Sequence, residues 1–156
     1  MTHNEWEKTV PDVIRQDVLW TVTAYRLALF LSDIAWSDVQ RLAKEICTRS
    51  LADQLFRSAG SICANIEEGY SKLSAKDRAR FYEYSLGSAR ESRGWFYRGR
   101  HVLGEEVVSH RMNLLTEIIR LLLTMIPEQR SHAVCEDAAE YGSETWKTDE
   151  ILFRGE

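Results

Sequence analysis

Residues 51–100, LADQLFRSAGSICANIEEGYSKLSAKDRARFYEYSLGSARESRGWFYRGR, decide the fold. Apolar residues recur at Leu55, Ala59, Ile62 and Ile66, and again at Tyr82, Leu86, Ala89 and Phe96. Both series follow the roughly 3.6-residue period of a helix with one buried face. Between them lies a polar elbow, Gly69-Tyr70-Ser71-Lys72-Leu73-Ser74. Gly69 is placed to stop the first helix as the residue just past its end. Ser74, with Asp77 three positions on, is a natural N-cap for the second and approximates a capping box. The pattern predicts a small all-helical bundle.

Working outward, the stripe Ile14, Val18, Val22, Tyr25 and Leu29 predicts a first helix from about Asp12 to Asp33. A turn is expected over Leu31–Trp36, with Ser37 or Asp33 as the next N-cap. Val39, Ala43, Ile46 and Ser50 then lead into the stripe at Leu55, so the second helix would reach Glu68. Unbroken, it would measure roughly 48 Å. It either breaks near Thr48-Arg49-Ser50 or protrudes to serve an oligomer. Downstream, the third helix should reach about His101 and end before Gly104. The fourth, Glu105 to Ile126, carries Val108, Met112, Leu115, Ile119, Leu122 and Ile126 on one face, and Pro127 is expected to end it. Residues 1–127 thus form the bundle. Residues 128–156 form an acidic tail or docking arm anchored, if at all, by Tyr141, Trp146, Ile151, Leu152 and Phe153.

Composition narrows the class. The chain has 156 residues, room for one domain with one core. Only 8 glycines and 2 prolines suit long helices. No run approaches the ~18 apolar residues of a membrane span. The start, MTHNEWEKTV, lacks a signal-peptide core, so the cytoplasm is the default expectation. Cys47, Cys63 and Cys135 are too few and too scattered for a disulfide framework and read as buried thiols. The net charge is -4, unevenly spread: residues 41–100 hold 12 basic and 7 acidic side chains, and residues 101–156 hold 5 and 11. The middle hairpin can attract an acidic partner locally, whereas the whole chain is not steered strongly to nucleic acid.

The candidate binding residues lie in that hairpin. Lys72, Lys76, Arg78 and Arg80 precede Arg90, Arg93, Arg98 and Arg100, with Tyr97 at helical spacing between Arg93 and Arg100. Clustered cations bind phosphates and exposed aromatic faces stack bases. The alternative is a solvated face paired with Glu83 and Glu91. Small residues at Gly60–Ala64 and Gly87–Ser88 permit close backbone approach, within the chain or to another subunit. Glu67 and Glu68, near a helix C-terminus, invite a cation such as Arg57 or Arg80, and Asn65 is placed to bridge backbone groups. Glu67, Glu68 and Glu91 could gather carboxylates, but the Glu-x-x-His element of a di-metal bundle is absent. His3, His101, His110 and His132 are scattered and supply no ligand set. Ser61 and Cys63 lack the context of an activated nucleophile, and no Gly-rich phosphate loop occurs. The expectation is a protein that is not an enzyme and carries no metal or cofactor.

The segment QLFRSAGSICANIEEG resembles the signature of the bacterial family of 23S ribosomal RNA intervening-sequence proteins, through Gln54, Arg57, Ser58, Ser61, Ile62, Ala64, Asn65, Ile66, Glu68 and Gly69. Arg80, Phe81, Gly87, Ser88 and Glu91 fit the next helix of that pattern. Glu67 stands where the family usually has Ala, and helical-looking Asp38–Ser50 replaces its short Phe-Pro turn. The resemblance implies an antiparallel up-down four-helix bundle that assembles as a homopentamer. Assembly residues would then be Arg57, Gly60, Asn65, Glu68, Gly69, Arg80, Phe81, Gly87, Ser88 and Glu91. Related accessory proteins of diversity-generating retroelements look basic and bind nucleic acid, whereas this chain is acidic. Two functions follow: a homo-oligomeric scaffold or adaptor, or a nucleic-acid-binding accessory protein using Lys72, Lys76, Arg78, Arg90, Arg93, Tyr97 and Arg100.

Overall fold

The structure, a computed structural model, describes the backbone of residues 2–152 and the side chains of residues 2–131. All its regular structure is helical among the described residues: α1 His3–Glu7, α2 Asp12–Arg15, a 3-10 turn Val18–Thr21, α3 Thr23–Lys44, α4 Arg49–Tyr70, α5 Ala75–Arg98, α6 Arg100–Leu103 and α7 Glu105–Leu152. The long helices α3, α4, α5 and α7 surround one core, with α4 against α3 and α5, and α7 against α5 and α3. Leu31, Leu42, Leu55, Ile62, Ile66, Phe96, Leu115, Ile118 and Leu122 are fully buried there. The apolar series read from residues 51–100 is this core: all eight of its positions are buried.

The first half of the chain departs from expectation. The helix expected over Asp12–Asp33 is broken, because Asp17 turns its carboxylate to the backbone N–H of Leu19 (2.8 Å) and starts a 3-10 turn. Val18, expected in the core, is exposed. The turn expected at Leu31–Trp36 is instead the middle of α3. Buried Ala28, Leu31, Ala35, Asp38 and Leu42 continue one stripe through it, with no Gly or Pro to interrupt. Ser37 does not cap a helix; its hydroxyl donates to the Ile34 carbonyl (3.0 Å) on the outer face. The true reversal is Glu45–Thr48, where Thr48 Oγ1 donates to the Leu42 carbonyl (2.7 Å). Asp38 keeps its core position because Arg111 on α7 reaches it at 2.8 Å and 3.4 Å.

The elbow behaves as read in one respect and not in another. Ser74 Oγ accepts the Asp77 N–H at 3.0 Å and caps α5. Gly69, however, lies inside α4 with ordinary helical backbone. It is glycine because a Cβ there would stand 2.9 Å from Phe81 Cβ and 2.9 Å from Tyr82 Cε1. Positive φ is found at Gly104 (φ 86°), which separates α6 from α7. Pro127 does not end α7. The hydrogen bond it deletes would run to Leu123, and both residues are on the exposed flank, so the freed carbonyl is open to solvent. The proposed tail anchors Tyr141, Trp146, Ile151, Leu152 and Phe153, together with Cys135 and His132, lie outside the residues whose side chains are described.

Candidate interaction surface

The residues singled out as a basic face do not form a single face. Arg78 is spent on the fold: its Nη1 donates to the carbonyls of Lys72 (3.0 Å) and Leu73 (2.9 Å), and its Nε to Gln129 (2.7 Å). Lys72 pairs with Glu68 (3.1 Å) and lies over the Phe81 ring (4.6 Å). Arg80 and Arg98 are five helical turns apart and share one flank of α5, while Arg93 sits roughly 140° round the axis from Arg80. Lys76 and Arg80 line a shallow groove with Glu83, Tyr84 and Arg130. Arg130 pairs with Glu83, tying α7 to α5. Farther along, Arg98 stacks on Trp95 (4.5 Å) and Arg100 on exposed Tyr97 (4.3 Å). Among the described residues, Lys76, Arg90, Arg93, Arg98 and Arg100 have no carboxylate within ion-pair distance. Glu91 accepts from the Trp95 indole (3.0 Å) instead of pairing with a cation.

The polar network expected around Glu67, Glu68 and Asn65 is elsewhere. Asn65 donates to Ser61 in its own helix (2.7 Å), and Arg57 pairs with Asp53 (3.5 Å) on the surface. The buried links between α4 and α5 are Ser85 Oγ to the Ile62 carbonyl (2.8 Å) and Ser92 Oγ to Ser58 Oγ (2.9 Å). Ser85 and Ser92 escaped the sequence reading, although their seven-residue spacing on the apolar side of α5 was a signal. Glu67 faces Cys63, whose thiol donates to it at 3.6 Å, and buried Tyr25. Burial, then the neighbouring carboxylate, pushes the Cys63 thiol above the usual thiol range; burial, then Cys63 and Glu67, does the same to the Tyr25 phenol. A thiol held protonated is a poor nucleophile. Cys47, expected to be buried, is exposed in the α3–α4 reversal. Glu67, Glu68 and Glu91 do not converge, and among the described residues no three His, Cys, Asp or Glu side chains gather as a metal site. His101 is solvent-exposed; His110 sits beside Arg111 (2.8 Å) and edge-on to Phe30, and burial and that arginine lower its pKa. No helix among the described residues is long and apolar enough to cross a membrane.

The small residues point outward. A Cβ at Gly60 or at Gly87 would meet nothing within 4 Å, so neither glycine serves packing within the chain. Ser88 Oγ donates to the Tyr84 carbonyl (3.0 Å) of its own helix. Beside Gly60, Trp36 of α3 and Phe56 of α4 meet edge to face (5.9 Å) yet remain 55% and 46% exposed. They form one wall of a groove of about 450 Å³. The opposite wall is the N-terminal segment, through Val10, Pro11 and Ile14. Trp6 anchors that segment, 3% exposed against Phe30, with its indole donating to Asp33 (2.8 Å). This groove was not legible as a site, since its walls come from three separate parts of the chain.

Comparison with known proteins places the helical core. A crystal structure of a protein of unknown function, from the S23 ribosomal protein family of Bacteroides thetaiotaomicron VPI-5482, shares the fold with a TM-score of 0.63 and 24% identity, over 67% of this chain and 98% of that one. No curated protein matches the chain. The family model of the 23S rRNA-intervening sequence protein matches residues 22–124, so the N-terminal wall of the groove precedes the matched stretch. The chain belongs to the 23S rRNA-intervening sequence protein family.

Proposed function

We propose that this protein is a non-enzymatic homo-oligomeric scaffold or adaptor, built as an antiparallel up-down bundle and working in the cytoplasm. The observation that carries the reading is the outer α3–α4 face, where a paired Trp36 and Phe56 stay about half exposed beside an apolar groove and an unfilled Gly60. Clustered exposed aromatics are the mark of an interaction surface, whereas singly scattered ones are ordinary. Five copies is the number that the family resemblance implies. Gly60→Leu tests this surface and Gly87→Leu the equally bare glycine on α5, because a Cβ at either position meets nothing within 4 Å in its own chain. Light scattering coupled to size exclusion should show a smaller particle for these variants, with helix content by circular dichroism unchanged. A wild-type monomer overturns the scaffold reading, and full-mass variants overturn the surface.

A second reading rests on the unpaired cations of α5 in a chain of net charge -4. Lys76, Arg90, Arg93 and Arg98, with Arg100 just beyond on α6, beside exposed Tyr84 and Tyr97 suit a single-stranded or looped nucleic acid. Binding of a structured RNA should then weaken steeply with salt. Removal of Arg93 and Arg100 should lower affinity across sequences and reduce the salt slope by roughly one for each phosphate no longer neutralised. Salt-independent binding, or none, overturns this reading.

A further inference from the structure

The groove between the N-terminal segment and the Trp36–Phe56 pair is apolar, with one carboxylate, Asp33, on its lining. One oxygen of Asp33 accepts from Trp6; among the described residues no hydrogen bond engages the other. What fits is an aliphatic side chain with a cation close behind it.

The chain carries such a group itself. Leu73, at the tip of the α4–α5 turn, is 98% exposed, and Lys72 and Lys76 flank it. Lys76 has no carboxylate partner among the described residues. The other strongly exposed aliphatics fit less well. Ile46 has Arg49 three residues on but Glu45 directly before it, which Asp33 would repel; Val18 likewise follows Asp17, and Val13 follows Asp12 in the segment that builds the groove wall. Leu73 cannot reach its own groove. Phe56 lies 14 residues before the α4 terminus at Tyr70, about 21 Å along the axis, and Leu73 is beyond that end.

We propose that the Leu73 turn of one copy seats in the Trp36–Phe56 groove of a second copy, with Lys76 brought to Asp33. This rests on the homo-oligomer reading and specifies its contact. Knob and groove are different surfaces of one chain, so the contact is heterologous: every copy offers one of each, and repetition closes a ring or grows a filament.

Full-length Leu73→Asp and Phe56→Asp chains test it by light scattering, alone and mixed in equal amounts. Leu73→Asp keeps its groove and Phe56→Asp keeps its knob. Each alone should be monomeric, and the mixture should give a particle of twice the monomer mass, one intact contact per pair. Both positions are exposed, so helix content should be unchanged; Trp36→Glu replaces Phe56→Asp should that chain not fold. A Leu73→Asp chain of wild-type mass overturns the inference while leaving the scaffold reading standing. Mutants that fall apart but do not complement each other also overturn it, since a different part of the second copy would then fill the groove. A wild-type monomer overturns both and leaves the groove to a foreign protein.

Discussion

The inner and outer faces of α4 are made from similar residues and reach opposite states. On the α5 side, Gly69 is pressed against Phe81 and Tyr82, and Ser58 and the Ile62 carbonyl are met by Ser92 and Ser85. Each of these three groups has a partner within the chain. On the outer side, Gly60 faces empty space, and Phe56 and Trp36 cover one another only in part. Glycine therefore carries two meanings along a single helix. At Gly69 a neighbour occupies the place a Cβ would take. At Gly60 nothing in the chain excludes a side chain, although glycine costs a helix interior roughly 1 kcal/mol relative to alanine. Folding accounts for the first glycine and not for the second.

The largest break in that comparison should come from inside. Arg111→Met strands the Asp38 carboxylate, 2% exposed, without its cation, and should cost about 3–5 kcal/mol in urea denaturation. The double variant with Asp38→Leu should recover most of that loss. Gly69→Val forces atoms into the Tyr82 ring and should cost about 2–3 kcal/mol by overpacking. Ser85→Ala removes one interhelical hydrogen bond, with an expected loss of about 1 kcal/mol. On the outer side the sign reverses: Gly60→Ala should stabilise the fold by about 0.5–1 kcal/mol, since no atom stands in its way. A destabilised Gly60→Ala chain would show that this face is not open.

The smallest effect is one of pH. Cys63 stays protonated in the fold above the range in which an unfolded thiol ionises, about pH 8.5. Its contribution is therefore complete below that value and declines as pH rises past it, because the unfolded chain then releases a proton that the folded one retains. The denaturation midpoint should fall between pH 7.5 and 9.5, by less in Cys63→Ala. Exposed Cys47 should meanwhile react with a thiol reagent far faster than Cys63.

How much was legible follows from which signals are local. The core positions of α4, α5 and α7 were readable from periodicity, and the Ser74 cap from a four-residue motif. In α3 local signals misled. Asp33 and Ser37 look like helix starts, but Asp33 is bound by an indole 27 residues away. Asp38 looks like a surface residue, and its partner Arg111 is 73 positions on. The candidate basic face was legible as composition only. Which guanidinium is free could not be read, because Arg78 turns inward onto turn carbonyls and Arg93 and Arg80 lie on different flanks.

The sequence by itself determined an all-helical chain, the buried stripes of its later helices and its family, because these depend on spacing within one helix or one contiguous motif. Only the tertiary structure decided that Asp38 is a core residue, that Gly69 and Gly60 serve different ends, and that Trp6, Asp33, Trp36 and Phe56 share one groove. Each of these depends on which helix lies opposite, and periodicity identifies a buried face without naming what covers it.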